Sequence, residues 1–139
     1  MKALLLFLLI GVTLQSCREK KPEEIEVLTL MDTDSSWDGN LLPKYPAGQP
    51  KIKILKYTVP PKTKLAPHEH HVINAGVLLK GELTVVDQKG NELHLKAGDP
   101  IVELVHTVHY GMNKSTEPAE IVVFYAGADD IPITVKQQK

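Results

Sequence analysis

From residue 27 onward the chain breaks into short apolar runs, rich in β-branched residues and separated by Gly, Pro, Asn and Asp. Residues two apart in a strand share a face, and no stretch holds a 3.6-residue apolar period over three turns. The pattern predicts strands over 52–59, closed by Pro60-Pro61, then over 65–72 and 74–80. A tight turn at Lys80-Gly81-Glu82 leads into a hairpin. Its strands, 83–87 and 92–96, flank Gln88-Lys89-Gly90-Asn91, where Gly and Asn tolerate positive φ. Further strands are expected over 101–105, 109–113 and 120–126, the last two bracketing a loop over 114–118. Trp37-Asp38-Gly39-Asn40 reads as a turn. Many short strands at this spacing predict an all-β sandwich or barrel with little helix.

The first residues follow another rule. Met1-Lys2 precedes an apolar run over 3–12, shorter than the about 20 residues a bilayer span needs. One positive charge followed by such a run has the form of an export signal. Leu14-Gln15-Ser16-Cys17 resembles a bacterial lipobox, in which the cysteine becomes the lipidated first residue. Cys17 is the chain's single cysteine, and an unpaired thiol is otherwise a liability in an oxidising compartment. The expected organisation is a lipoprotein signal peptide over 1–16, a charged tether over 17–26 and one β domain over 27–139. The expected location is outside the cytoplasm, on the periplasmic or envelope side, with acidic residues of the tether suggesting the outer membrane. The membrane is met only through the lipid.

With 16 basic and 17 acidic residues the chain carries a formal charge of −1 and no basic block. That excludes an electrostatic footing for nucleic acid. With no second cysteine, packing or packing with a bound metal must hold the domain.

The chemistry concentrates in Pro67-His68-Glu69-His70-His71, which carries three of the six histidines inside strand sequence. By parity His68 and His70 project together, and Glu69 and His71 face the other way. Two imidazoles on one face can share a metal. The spacing beyond them adds to this: Lys62, five residues, His68-x-His70, three residues, Asn74, six residues, Gly81; then Gly98, five residues, Leu104-x-His106, two residues, His109, three residues, Asn113.

Those two runs resemble the paired motifs of the cupin superfamily, and the resemblance extends over nearly the whole domain. Gly76–Leu83, Glu103 and Glu117-Pro118-Ala119 resemble features of its small single-domain members. It implies a single cupin-type jelly-roll β-barrel, a divalent metal held by His68, His70 and His109, and a homodimer as the form to test. The chain departs from the pattern at four positions. Lys62 replaces a turn glycine, which predicts a slightly different turn. Leu104 and His106 replace the proline and glycine of the second motif. Asn74 stands where the motif places a glutamate, and a neutral amide is the poorer ligand for a hard cation.

Glu103 is the candidate replacement, since a carboxylate in the strand 100–105, apolar on both faces, is costly unless paired or metal-bound. Three roles stay open for it: metal ligand, partner orienting a ligand histidine, or structural ion pair. The fourth ligand is accordingly Glu103 or Asn74, and Glu103 and His106 are the catalytic candidates. His94 and His71 read as outward-facing, while Trp37 and Tyr110 read as core before pocket. Three imidazoles with at most one oxygen ligand leave positions for water, dioxygen or a substrate on iron, manganese or zinc. The expected function is a metal-dependent enzyme acting on a small oxygenated molecule by dioxygenase-, isomerase- or decarboxylase-like chemistry, with oxidoreduction favoured and zinc-hydroxide hydrolysis a smaller share. The alternative is a non-catalytic module that binds a small ligand or a metal.

Overall fold

A computed structural model describes residues 24–137. The expected signal peptide, the Cys17 lipidation site and the start of the tether lie outside the described residues. Within them the chain forms ten strands and no helix. One sheet runs β1 (Pro50–Val59), β9 (Ala119–Ala128), β4 (Ile73–Lys80) and β7 (Pro100–Val102), every neighbour antiparallel. The other runs β10 (Val135–Lys136), β3 (His68–Glu69), β8 (His109–Asn113), β5 (Glu82–Asp87) and β6 (Glu92–Lys96), with β2 (Thr63–Lys64) also paired to β8. The two sheets face each other as a jelly-roll barrel, the architecture expected from the strand spacing.

Alternation fills the space between them. In β9, Ile121, Val123 and Tyr125 are buried while Phe124 is half exposed. From the opposite sheet Leu83, Val85 and Leu95 join the same core, and Leu78 of β4 is fully buried. Truncating a side chain such as Leu78 to Ala would cost about 2–5 kcal/mol. The expected hairpin forms as read: Gly90 takes φ 86°, and Asp87 Oδ1 accepts from the backbone N–H of Lys89 and of Asn91 at 2.8 and 2.9 Å. The Trp37 turn forms too, with Gly39 N–H donating to Ser36 O at 2.9 Å. Trp37 packs against the core rather than lining a pocket.

Two elements differ from expectation. The strand expected over 65–72 is reduced to β3 and an isolated parallel bridge from His70 to Val105, because Pro67 supplies no N–H to a ladder. The strand expected over 101–105 ends at Val102. No strand forms between residue 24 and Pro50 apart from a Ser35–Leu41 bridge. At the two substituted motif glycines the backbone has positive φ. Lys62 and His106 each take φ 54°, the left-handed conformation that glycine would adopt without strain.

Candidate metal centre

Strand register brings the three motif histidines together. His68 of β3 lies opposite His109 of β8, and His70 follows His68 by the two positions that keep it on the same face. The ring centroids stand 4.7 Å apart for His68–His109 and 5.0 Å for each of the other two pairs. One ligating atom from each ring lies within 4.8 Å of the others. The rings are buried or half-buried.

Each ring is oriented by the backbone. Nδ1 of His68 is 2.9 Å from Ala66 O, Nδ1 of His109 is 2.8 Å from Thr107 O, and Nδ1 of His70 is 2.7 Å from Ile133 O. A carbonyl only accepts, so each Nδ1 carries the hydrogen, and in the neutral ring Nε2 keeps its lone pair. The Ile133 contact comes from the segment after β9, which leads into β10 beside β3.

Glu103 joins this group. Its Oε2 is 3.2 Å from His109 Nε2, with the two side chains 12% and 1% exposed. Both atoms are buried and neither makes a directed hydrogen bond, so the contact is one of charge between groups converging on the same space. Burial alone would raise the Glu103 carboxyl, but His109, with His70 and His68 behind it, outweighs that and holds it below the usual carboxylate range. Burial would likewise depress His109, and Glu103 reverses the sign, holding it above the usual histidine value. His68 and His70 are held low, chiefly by burial.

Asn74 lies on the inner face of β4, 1% exposed, with Oδ1 unpartnered and its amide 3.4 Å from Val72 O. Its backbone carbonyl accepts from Glu103 N–H at 3.1 Å. The β4–β7 ladder, which pairs Ala75 with Val102, therefore continues one step to set Glu103 across from Asn74. The site fits a cation on this chain's own evidence. Three imidazoles have their Nδ1 positions engaged, and three buried polar atoms, Asn74 Oδ1, Glu103 Oε2 and His109 Nε2, make no hydrogen bond.

The other sequence candidates stand apart. His106 is exposed on its left-handed turn, its ring 5.2 Å from that of His71, and it does not line the cavity beside the cluster. His71 bonds to Glu69 at 3.0 Å. His94 is exposed, 3.2 Å from Thr84 Oγ1. Asn113 is structural: its amide donates to Val59 O and Glu117 O at 3.1 and 2.7 Å, tying β1 to the β8–β9 loop. Tyr110 lies under Lys64, whose Nζ is 3.9 Å from the ring centroid.

Sequence reading missed Tyr57 and Tyr125, whose hydroxyls meet at 2.9 Å on the cavity wall. Their shared inward parity in β1 and β9 was the available signal. The cavity holds about 290 Å³ between the sheets, bounded by the three histidines, Glu103, the tyrosine pair and aliphatic side chains.

Comparison with known proteins agrees with this architecture. The chain is similar to oxalate oxidase in complex with the substrate analogue glycolate, at 22% identity and TM-score 0.53, over 61% of this chain and 45% of that one. It is similar to an uncharacterized conserved protein with a double-stranded beta-helix domain from Klebsiella pneumoniae, at 22% identity and TM-score 0.55, over 84% of this chain and all of that one. The DMSP lyase DddQ from Ruegeria pomeroyi matches at 17% identity and TM-score 0.55, over 62% of this chain and 43% of its own. The matched part of this chain thus spans less than half the length of oxalate oxidase and of the lyase. No curated protein matches by sequence. The cupin domain model matches residues 55–125, a segment that starts in β1, ends in β9 and contains all three clustered histidines. This chain belongs to the cupin family.

Proposed function

We propose that this cupin is a metal-dependent enzyme of the cell envelope, holding one divalent ion with His68, His70, His109 and Glu103 and acting on a small oxygenated molecule. One observation carries the ligand set. A carboxylate absent at Asn74 has a counterpart directly across the β4–β7 ladder in Glu103, whose Oε2 is buried without a hydrogen bond beside His109. Three neutral imidazoles and one carboxylate leave coordination positions free, and a bound iron or manganese ion would supply dioxygen or Lewis-acid chemistry there, zinc hydrolysis. The protein's own contribution is orientation and exclusion of water. The backbone fixes each ring through Nδ1, and the aliphatic cavity wall keeps the reacting groups from bulk solvent. The likeness to oxalate oxidase and the lyase supports enzymatic activity only through the fold.

The test is elemental analysis of protein purified without chelator or histidine tag, followed by reconstitution of metal-free protein with iron, manganese and zinc in turn. Failure to retain or to rebind any of the three overturns the metal assignment. Asn74 in the motif's glutamate position favours a second reading, a non-catalytic module for a small ligand. Stoichiometric metal without turnover of any small oxygenated compound would select it.

The envelope location rests on the apolar run over 3–12 and on Leu14-Gln15-Ser16-Cys17. Cys17→Ser is expected to move the protein from the detergent phase to the aqueous phase with its melting temperature unchanged. Aqueous partitioning of the wild type would rule out the lipid anchor.

A further inference from the structure

The cavity that receives the histidine cluster is lined mainly by aliphatic side chains. Val59, Leu65, Leu83, Val85, Ile121 and Val123 all contribute to it, and all but Leu65 are at most 6% exposed. Charge is confined to one side. Glu103 is the lining carboxylate and Lys136 the lining lysine. Lys136 is exposed and paired with His68 across the β10–β3 ladder, so it stands at the mouth beside the ring cluster. A divalent ion with the Glu103 carboxylate leaves one buried positive charge, which one anionic group balances. A second carboxylate carried away from the ion on a carbon chain would have to lie against valine and leucine with no interior cation to meet it, a costly placement. At about 290 Å³ the space is at the small end of ligand pockets.

On the same sheet as Val59, Ile121 and Val123, Tyr57 and Tyr125 offer one polar contact, their hydroxyls 2.9 Å apart. Burial, together with the Tyr57 hydroxyl, keeps the Tyr125 phenol protonated and available as a donor.

Resting on the metal-site reading above, we propose that the ligand is a small monocarboxylate with an apolar body of a few carbons. Its carboxylate lies at the histidine cluster near Lys136, and its body lies against the valine and leucine wall. A compact dicarboxylate such as oxalate does not exploit this wall.

The experiment titrates straight-chain monocarboxylates from acetate to hexanoate, and oxalate, into the full chain by calorimetry, with metal content measured on the same samples. Affinity is expected to rise about fourfold per added methylene, the worth of burying one such group, until the cavity is full and then to fall. Val123→Leu narrows the cavity and should shorten the preferred acid by about one carbon. Val85→Ala widens it and should lengthen the preference, so the two variants move the optimum in opposite directions. A flat dependence on chain length, or oxalate binding more tightly than every monocarboxylate, overturns the proposal. Metal occupancy separates the two readings. Metal with no length dependence overturns the ligand class alone, and length dependence without metal supports the apolar pocket while removing the ion from it. Neither metal nor length dependence overturns both.

Discussion

Glu103 and Asn74 face each other across the β4–β7 ladder, joined by a 3.1 Å hydrogen bond from the Glu103 N–H to the Asn74 carbonyl. A carboxylate thus stands directly across from the β4 position where the first motif places one. If it serves as the oxygen ligand, Glu103→Gln weakens metal affinity by more than the 10- to 100-fold typical of a residue that only orients a ligand. Asn74→Ala has a smaller effect. The exchange Asn74→Glu with Glu103→Asn restores part of the affinity by returning the carboxylate to β4. Titration of metal into apo protein reads all three, beside a thermal melt. Unchanged affinity with lowered stability in Glu103→Gln would leave Glu103 as a structural pair to His109.

The histidine assignment is tested by contrast. His68→Ala, His70→Ala and His109→Ala are expected to lose most bound metal. His71→Ala and His94→Ala keep it, since His71 bonds to Glu69 and His94 lies outside on β6. Equal metal content across the five variants would disprove the cluster's role.

Acidification acts on the cluster with opposite signs. His68 and His70 are held low, so below the ordinary value of about 6.5 the unfolded chain takes up protons that the fold resists, and metal-free protein loses stability. His109 is held high by Glu103; its contribution is fully present below about 6.5 and is lost as pH rises through its raised value. Glu103 is held low, so its contribution is present above about 4.3 and is lost as pH falls through its folded value. Just above pH 6.5 a metal must displace the His109 proton, and binding should release it. Calorimetry in two buffers of different ionisation heat measures that release, which Glu103→Gln should reduce. Identical heats in the two buffers for wild type would contradict the coupling.

Lys62 and His106 hold left-handed turns without glycine's freedom. Such a conformation costs a side-chain-bearing residue roughly 1–2 kcal/mol, against about 0.5–1 kcal/mol of extra chain entropy that glycine loses on folding. His106→Gly is expected to raise stability by about 0.5–1 kcal/mol with metal content unchanged. Lys62→Gly should gain less, because Lys62 Nζ also donates to Lys114 O at 2.6 Å. Denaturant melts decide, and a destabilised His106→Gly would mean that its ring contact with His71 outweighs the backbone strain.

The repeating spacing of His68, His70 and His109 made the cluster legible, because strand parity and motif length are both local properties of sequence. β8 was legible to the residue, and the β5–β6 hairpin was announced by Gly90 and Asn91. What stayed hidden depends on pairing between distant segments. β10 is two residues long and has no period to read, yet it brings Lys136 to the cavity and follows the carbonyl that orients His70. Tyr57 and Tyr125 are 68 positions apart, and only the β1–β9 register reveals that their hydroxyls touch. Glu103 was singled out because a lone carboxylate among apolar neighbours is costly. Its position opposite Asn74 could not be seen without the ladder.

The same ladders set the order in which the domain can be completed. Lys51 of β1 meets Asp129, 78 positions later, and His70 waits for a carbonyl 63 positions later. Closing such long loops precedes the reward for closing them, which makes all-β folds of this kind slow relative to helical ones. The hairpin of β5 and β6 can form early on local contacts, whereas the His70 ring is fixed only when the segment leading into β10 docks beside β3. If the cluster holds a metal, its capture is a late event, a signal that folding has finished. Refolding followed by metal uptake should lag behind refolding followed by burial of Trp37.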